Sequence, residues 1–229
     1  MNIFSSDVVM AGNEIDFLQE QLFPSSYTVL ASTYGRAGDS VKLSLSGEET
    51  LVLPSEKYAL SGLKEGSVIS REALLELKKD EALHAARKKA LRLIERREYT
   101  AAQLKLKLSE AMVPKEIILA VLRDLKDRGY LNDEKYAEAW IAAQLKRKPQ
   151  GRRMLYVGLV RKGVSREEAE RLIREAYPEE REEEACAALM RKLAGRRGLD
   201  VGELYPALAR RGFSQVLIKK VFGRLKKTR

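Results

Sequence analysis

Residues 100–128 read TAAQLKLKLSEAMVPKEIILAVLRDLKDR, and their apolar positions decide the architecture of most of the chain. Leu104, Leu108, Val113, Ile117, Ile118, Val121 and Leu125 recur at helical spacing, which gathers them on one face. Thr100 and Gln103 make a capping box, and Pro114 suits the first turn of a second helix. The stretch therefore predicts two helices, over 101–111 and 114–128.

The same pattern returns twice. Adding 51 to each apolar position gives Leu155, Leu159, Val164, Glu168, Ala169, Leu172 and Ala176, with Glu168 the one departure. Adding 100 gives Leu204, Leu208, Phe213, Leu217, Ile218, Val221 and Leu225, all apolar. Asp200 and Glu203 repeat the capping box, and Ser165 and Ser214 stand where Pro114 does. Gly163 and Gly212 match Met112 just before that opening. A preceding helix completes each unit, over 82–97, 133–147 and 181–194. The second and third helices are expected over 151–162 and 165–176, then over 201–211 and 214–227. Pro206 should kink or shorten its helix. One such unit buries its apolar stripe poorly, whereas stacked units share a continuous core.

Outside the repeats the period changes. Residues 27–34, 40–46 and 50–54 read as short strands, and Val41, Leu43 and Leu45 alternate with polar residues. Residues 60–70 add a turn and a short strand, and Ser70 caps a helix starting at Arg71. Residues 15–22 fit either a short helix or a loose leader. The fold class expected is mainly α: tandem three-helix repeats in an elongated array, preceded by a small antiparallel β unit. The domains are 1–69 (β-rich), 70–80 (connecting helix), 81–132, 133–180 and 181–229 (repeats one to three).

Charge divides along the same line. Residues 1–80 hold 7 Lys+Arg and 12 Asp+Glu, while residues 81–229 hold 36 and 21, a net of +15. A field of that sign attracts polyanions or an acidic protein surface. No apolar run approaches the roughly 20 residues of a membrane helix. The first residues lack the pattern of a secretory signal. One Cys (Cys186) excludes an internal disulfide framework and points to a reducing, cytoplasmic setting. His84 is the sole histidine, so a His/Cys zinc site is excluded and no cofactor is expected. Phosphate-cradling glycine loops are absent. Asp124 and Asp127 sit beside Arg123, Lys126 and Arg128 as solvated helix residues do, and Asp133 reads as the cap of the helix it begins. A non-catalytic protein, by default a monomer, is expected.

The candidate contacts are the basic clusters. Residues 146–153 carry Lys146, Arg147, Lys148, Arg152 and Arg153 with no acid, around a turn held by Pro149 and Gly151. Arg96 and Arg97, Arg161 and Lys162, Arg196 and Arg197, and Arg210 and Arg211 are pairs at or near helix ends. So placed they suit phosphate oxygens. A single pair fits equally well a cation answering the helix macrodipole. Lys219 and Lys220 with Arg224 form a further cluster. Tyr136 and Trp140 are four apart on one helix face and read as core; Tyr156 and Tyr205 are the better candidates for exposed contacts, on a weak signal.

Residues 125–137, LKDRGYLNDEKYA, resemble a signature of the RecX family, bacterial regulatory proteins that act on the recombinase RecA. Gly151 with Leu155, Leu159 and the run Lys162, Gly163, Val164 is similar to the family's next signature. Ala90, Leu91, Ile94, Arg97, Tyr99, Thr100, Gln103 and Leu104 resemble its opening segment. The likeness spans residues 82–227. It implies a curved body of three-helix repeats that lies in the groove of the RecA–DNA filament and lowers its ATPase and strand-exchange activities. It also implies binding to single- and double-stranded DNA alone. A stand-alone DNA-binding protein of little sequence preference is the alternative.

Overall fold

The computed structural model describes residues 24–197 and 201–227. The reading of residues 15–22, the Asp200 cap and the last two residues of the chain lie outside that range. Two compact units emerge among the described residues. One joins the chain up to Lys89 with Val113–Val121; the other joins Ala90–Met112 with everything from Leu122 onward.

The first unit holds a four-stranded sheet. Strands β1 (Ser26–Tyr34), β2 (Ser40–Leu45), β3 (Thr50–Pro54) and β4 (Val68–Ser70) lie in the order β3-β2-β1-β4, every pair antiparallel. Val41, Leu43 and Leu45 of β2 are buried, and Val29, Leu51, Leu53 and Ile69 complete the core. Each such side chain contributes about 1.5–3 kcal/mol by leaving water. A short helix that the sequence reading missed, α1 (Ser55–Ser61), follows β3 and ends on Gly62 at φ +66. Its seven residues give too little periodicity to stand out, and Pro54 beside it reads as a breaker.

Ser70 caps α2 (Arg71–Arg96) as expected, its Oγ accepting from the Ala73 N–H at 3.2 Å. The connecting helix and the first helix of repeat one are a single 26-residue helix. Residues 80–81 bear no breaker, and both side chains bind the sheet unit. Glu81 accepts from the Val52 N–H at 2.9 Å and Asp80 pairs with Lys57 at 2.6 Å. Lys78 pairs with Glu49 and Lys88 with Asp39. Part of the acidity of the N-terminal third is thus neutralised within its own unit.

The remaining helices are α3 (Ala101–Glu110), α4 (Lys115–Asp127), α5 (Asp133–Arg147), α6 (Arg152–Arg161), α7 (Arg166–Ala176), α8 (Glu179–Arg197), α9 (Val201–Arg210) and α10 (Gln215–Lys227). They match the expected repeat helices to within a few residues. Repeat two packs Ala137 and Ile141 of α5 and Leu155 and Leu159 of α6 against Ala169, Leu172 and Ile173 of α7. Repeat three does the same with Ala187 and Met190, Leu204 and Leu208, and Leu217, Ile218 and Val221. Cys186 sits in that third core, where burial pushes its thiol up to about 11. The departure at Glu168 has a local cause. Ser165 caps α7 by accepting from the Glu168 N–H at 3.2 Å, and its hydroxyl donates to the Glu168 carboxylate at 2.8 Å. Pro206 lies inside α9 without ending it. Its missing N–H forfeits one bond, to the Gly202 carbonyl, close to the helix start.

Candidate nucleic-acid interface

The second helices of the repeats meet end to end, and these junctions place most of the candidate cations. At the start of α3, Thr100 accepts from the Gln103 N–H at 3.2 Å, while its hydroxyl donates to the Lys162 carbonyl at the end of α6. One repeat later the Gly151 N–H, at the start of α6, donates to the Arg211 carbonyl at the end of α9, at 2.9 Å. Gly163 and Gly212 follow these two helix ends at φ +88 and +85. A methyl on Gly212 would stand 2.6 Å from the Met154 nitrogen, and one on Gly163 would overlap Ala102. Both positions therefore need glycine twice over, for the left-handed turn and for the close approach.

A carboxylate from the following repeat secures each helix start. Asp133 accepts from the Ala101 N–H at 2.7 Å, and Glu182 from the Arg152 N–H at 2.8 Å. This corrects the reading of Asp133 as the cap of its own helix. Asn132 fills that role, accepting from the Lys135 N–H at 2.9 Å.

The basic side chains of residues 146–153 have different surroundings. Arg152 is committed to structure: its Nε donates to the Tyr177 carbonyl at 2.9 Å and lies 3.5 Å from the Glu182 carboxylate. Glu182 is 7% exposed, and burial holds its carboxyl above the ordinary range against the pull of Arg152. Tyr177 donates to the Gln150 carbonyl, and burial pushes its phenol up to about 12. Lys146 shares a cleft with Glu138 and Arg181. Arg147 and Lys148 are exposed around the turn. Arg153 lines a groove between α6 and α7 with Arg152, Tyr156, Glu170, Ile173 and Arg174.

The other candidates are dispersed. Arg96 is exposed at the end of α2, and the Arg97 guanidinium lies 4.1 Å over the Tyr99 ring. Arg161 is exposed at the end of α6. The Lys162 ammonium stands 5.8 Å from the Tyr136 ring and 5.7 Å from that of Trp140. Both aromatics are half-buried rather than fully core, with Trp140 laid over Gly158, where a methyl would strike its ring. Arg210 and Arg211 border a cleft with Leu189, Leu193 and Ala207. The side chains of Arg196 and Arg197 lie outside the described residues. Lys220 is drawn into pairs with Glu179 and Glu183 of α8, and Arg224 reaches Glu183 at 3.4 Å. These surface pairs were invisible to a reading along the chain, because their members are about forty positions apart. Arg174 escapes a reading along the chain for a related reason: alternating with acids in α7, as Arg166 and Arg171 also do, it reads as a solvated face until the fold sets it beside Arg153.

Among the described residues no group of three or more His, Cys, Asp or Glu could hold a metal ion. Asp124 pairs with Arg128 at 2.9 Å. No helix of the described residues is long and apolar enough to cross a membrane.

Comparison with known proteins agrees with the repeat. Residues 86–125 match the model of the first three-helix domain of RecX, and residues 132–173 that of the second. The regulatory protein RecX of Treponema pallidum is 36% identical over 131 residues, covering 57% of this chain and 79% of that protein. RecX of Chlorobium limicola is 31% identical over 153 residues, covering 65% and 94%. A crystal structure of a regulatory protein RecX superposes with a TM-score of 0.72 over 86% of this chain and 99% of that one, at 16% identity. RecX from Lactobacillus salivarius gives 0.60 over 63% and 97%, at 22% identity. With two adjoining three-helix domains matched and more than three quarters of a relative covered at this identity, the chain belongs to the RecX family of regulatory proteins.

Proposed function

We propose that this chain binds the RecA–DNA filament in the cytoplasm and lowers its ATPase and strand-exchange activities, without catalysing a reaction itself. The observation that carries this reading is the set of cations left over once structure has taken its share. Arg152, Lys220 and Arg224 are bound to acids of their own unit, whereas Arg147, Lys148, Arg153 and Arg161 of repeat two stand exposed on helix ends and turns. Cations so displayed suit phosphate oxygens and acidic protein surfaces. The mechanism is steric and electrostatic. The repeats span neighbouring recombinase protomers, hinder their nucleotide-linked rearrangement and compete for the DNA they hold.

The test is ATP hydrolysis by purified recombinase on single-stranded DNA. Sub-stoichiometric chain should suppress it, and charge reversal at Arg147, Lys148 and Arg153 together should weaken suppression while helix content stays intact. No suppression at excess protein would reject the reading. The competing reading, a stand-alone DNA-binding protein, draws on the net +15 of residues 81–229. It requires tight binding to naked DNA that weakens steeply as salt rises, with no effect on the recombinase.

A further inference from the structure

We infer that the groove between α6 and α7 is a binding site for single-stranded nucleic acid, in which Arg153 and Arg174 take backbone phosphate and the Tyr156 ring stacks on a base. The inference rests on the nucleic-acid part of the proposed function and assigns it to residues.

Three features single out this groove. Arg153 and Arg174 come from different helices and border one opening, with buried Ile173 at its base and half-buried Tyr156 in its wall. Both arginines are exposed, and neither has an ion-pair partner among the described residues. Arg128, Arg152 and Arg171, in contrast, are each paired with acid. Glu170 stands four residues before Arg174, the favoured arrangement for a helical ion pair, yet the pair is not made.

Arg153 is also placed against a local rule. It is the second residue of α6, where the helix dipole disfavours a cation. Arg152, beside it, is offset by buried Glu182; Arg153 is not. A cation set against the helix dipole with no acid beside it breaks a local rule, as residues of functional sites do, and leaves a counter-charge for a ligand to bring. An incoming phosphate supplies it. Arg152 also borders the groove but is offset by Glu182, so Arg153 and Arg174 against the single Glu170 carboxylate leave it net positive, and a planar fork suits phosphate oxygens.

The aromatic ring selects the strand form. A tyrosine flanked by arginines offers a stacking face to an unpaired base and nothing further to a duplex, whose bases are already stacked. The repeat pattern gave Tyr156 no core role, and the structure leaves it half-buried in the groove wall.

The experiment uses the full chain with fluorescein-labelled oligo(dT) and a duplex of equal length, titrated by anisotropy across a salt series. Arg153→Glu with Arg174→Glu should weaken oligo(dT) binding at least tenfold. It should also shrink the slope of log affinity against log salt by about 1.4, from two phosphate contacts at roughly 0.7 each. Tyr156→Leu should cost about tenfold on oligo(dT) and leave the duplex unchanged, while Tyr156→Phe should bind as the wild type. Circular dichroism checks that each variant is folded, and Arg153→Gln with Arg174→Gln replaces the double reversal if that variant is not. Unchanged oligo(dT) binding in the folded variants would overturn the inference. So would a wild type that does not bind oligo(dT) at low salt, equal losses on duplex and single strand for Tyr156→Leu, or a loss confined to recombinase inhibition, which would make the occupant an acidic protein surface. A wild type that binds oligo(dT) through this groove but fails to inhibit the recombinase would end the filament reading and leave the groove assigned.

Discussion

Gly151→Ala probes the junction of repeats two and three most sharply. Gly151 has φ −82 and ψ 163, a conformation open to any residue, so alanine brings no backbone strain. Through the unfolded chain alone it would stabilise by about 0.4–1 kcal/mol. Its methyl would nevertheless lie 2.5 Å from the Phe213 nitrogen and closer still to the Gly212 carbonyl. Comfortable contact for carbon begins near roughly 3.5 Å, and the obstacles are backbone atoms, so the two repeats must part by about 1 Å. That movement stretches the 2.9 Å bond from the Gly151 N–H to the Arg211 carbonyl out of bonding range. Overpacking costs about 1–3 kcal/mol and the lost hydrogen bond about 1, leaving a net loss of about 2 kcal/mol after the unfolded-state gain. The control is Gly223→Ala, within α10, where an added methyl meets nothing within 4 Å. It should gain about 0.5–1 kcal/mol from helix propensity. Urea unfolding followed by circular dichroism should therefore move the two midpoints in opposite directions. A Gly151→Ala chain as stable as its control would refute the end-to-end packing of the second helices.

Asp133→Ala should cost about 1 kcal/mol by uncapping α3, and hydrogen exchange should quicken at the Ala101 amide while the Lys135 amide keeps its protection. Faster exchange at Lys135 instead would return Asp133 to its own helix. Glu182 makes stability depend on pH. Burial raises its folded-state value above the ordinary 4.5, so the folded chain holds the proton more tightly than the unfolded one. The favourable contribution is present in acid and is lost as pH rises through the folded value. Relative to Glu182→Gln, the wild type should gain stability as pH falls from neutrality toward 4.5; a difference independent of pH would show that the carboxyl is not perturbed.

The helical half was legible because its information is local and periodic. Leu104, Leu108 and their counterparts 51 and 100 positions on are all buried, as their spacing required. Strands β1 to β3 were legible for the same reason, through the alternation of Val41, Leu43 and Leu45. What escaped was long-range. Asp133 looked like a cap for the helix beside it, because nothing along the chain ties it to Ala101, thirty-two residues earlier. The basic clusters were legible as composition but not as a site. Arg152 and Arg153 are neighbours in sequence and border the same groove as Arg174, yet one is drawn to buried Glu182 and the other has no acid partner among the described residues. Which cation is committed to structure depends on acids elsewhere in the fold.

Met112 occupies the position that Gly163 and Gly212 hold in the later repeats, and it keeps their left-handed turn at φ 58 while standing 89% exposed. Where glycine admits the head of a neighbouring second helix, α3 ends on an exposed methionine, so the close approach that joins the later repeats is not repeated at this turn, and a residue bearing a Cβ holds the left-handed conformation at a cost of about 1–2 kcal/mol.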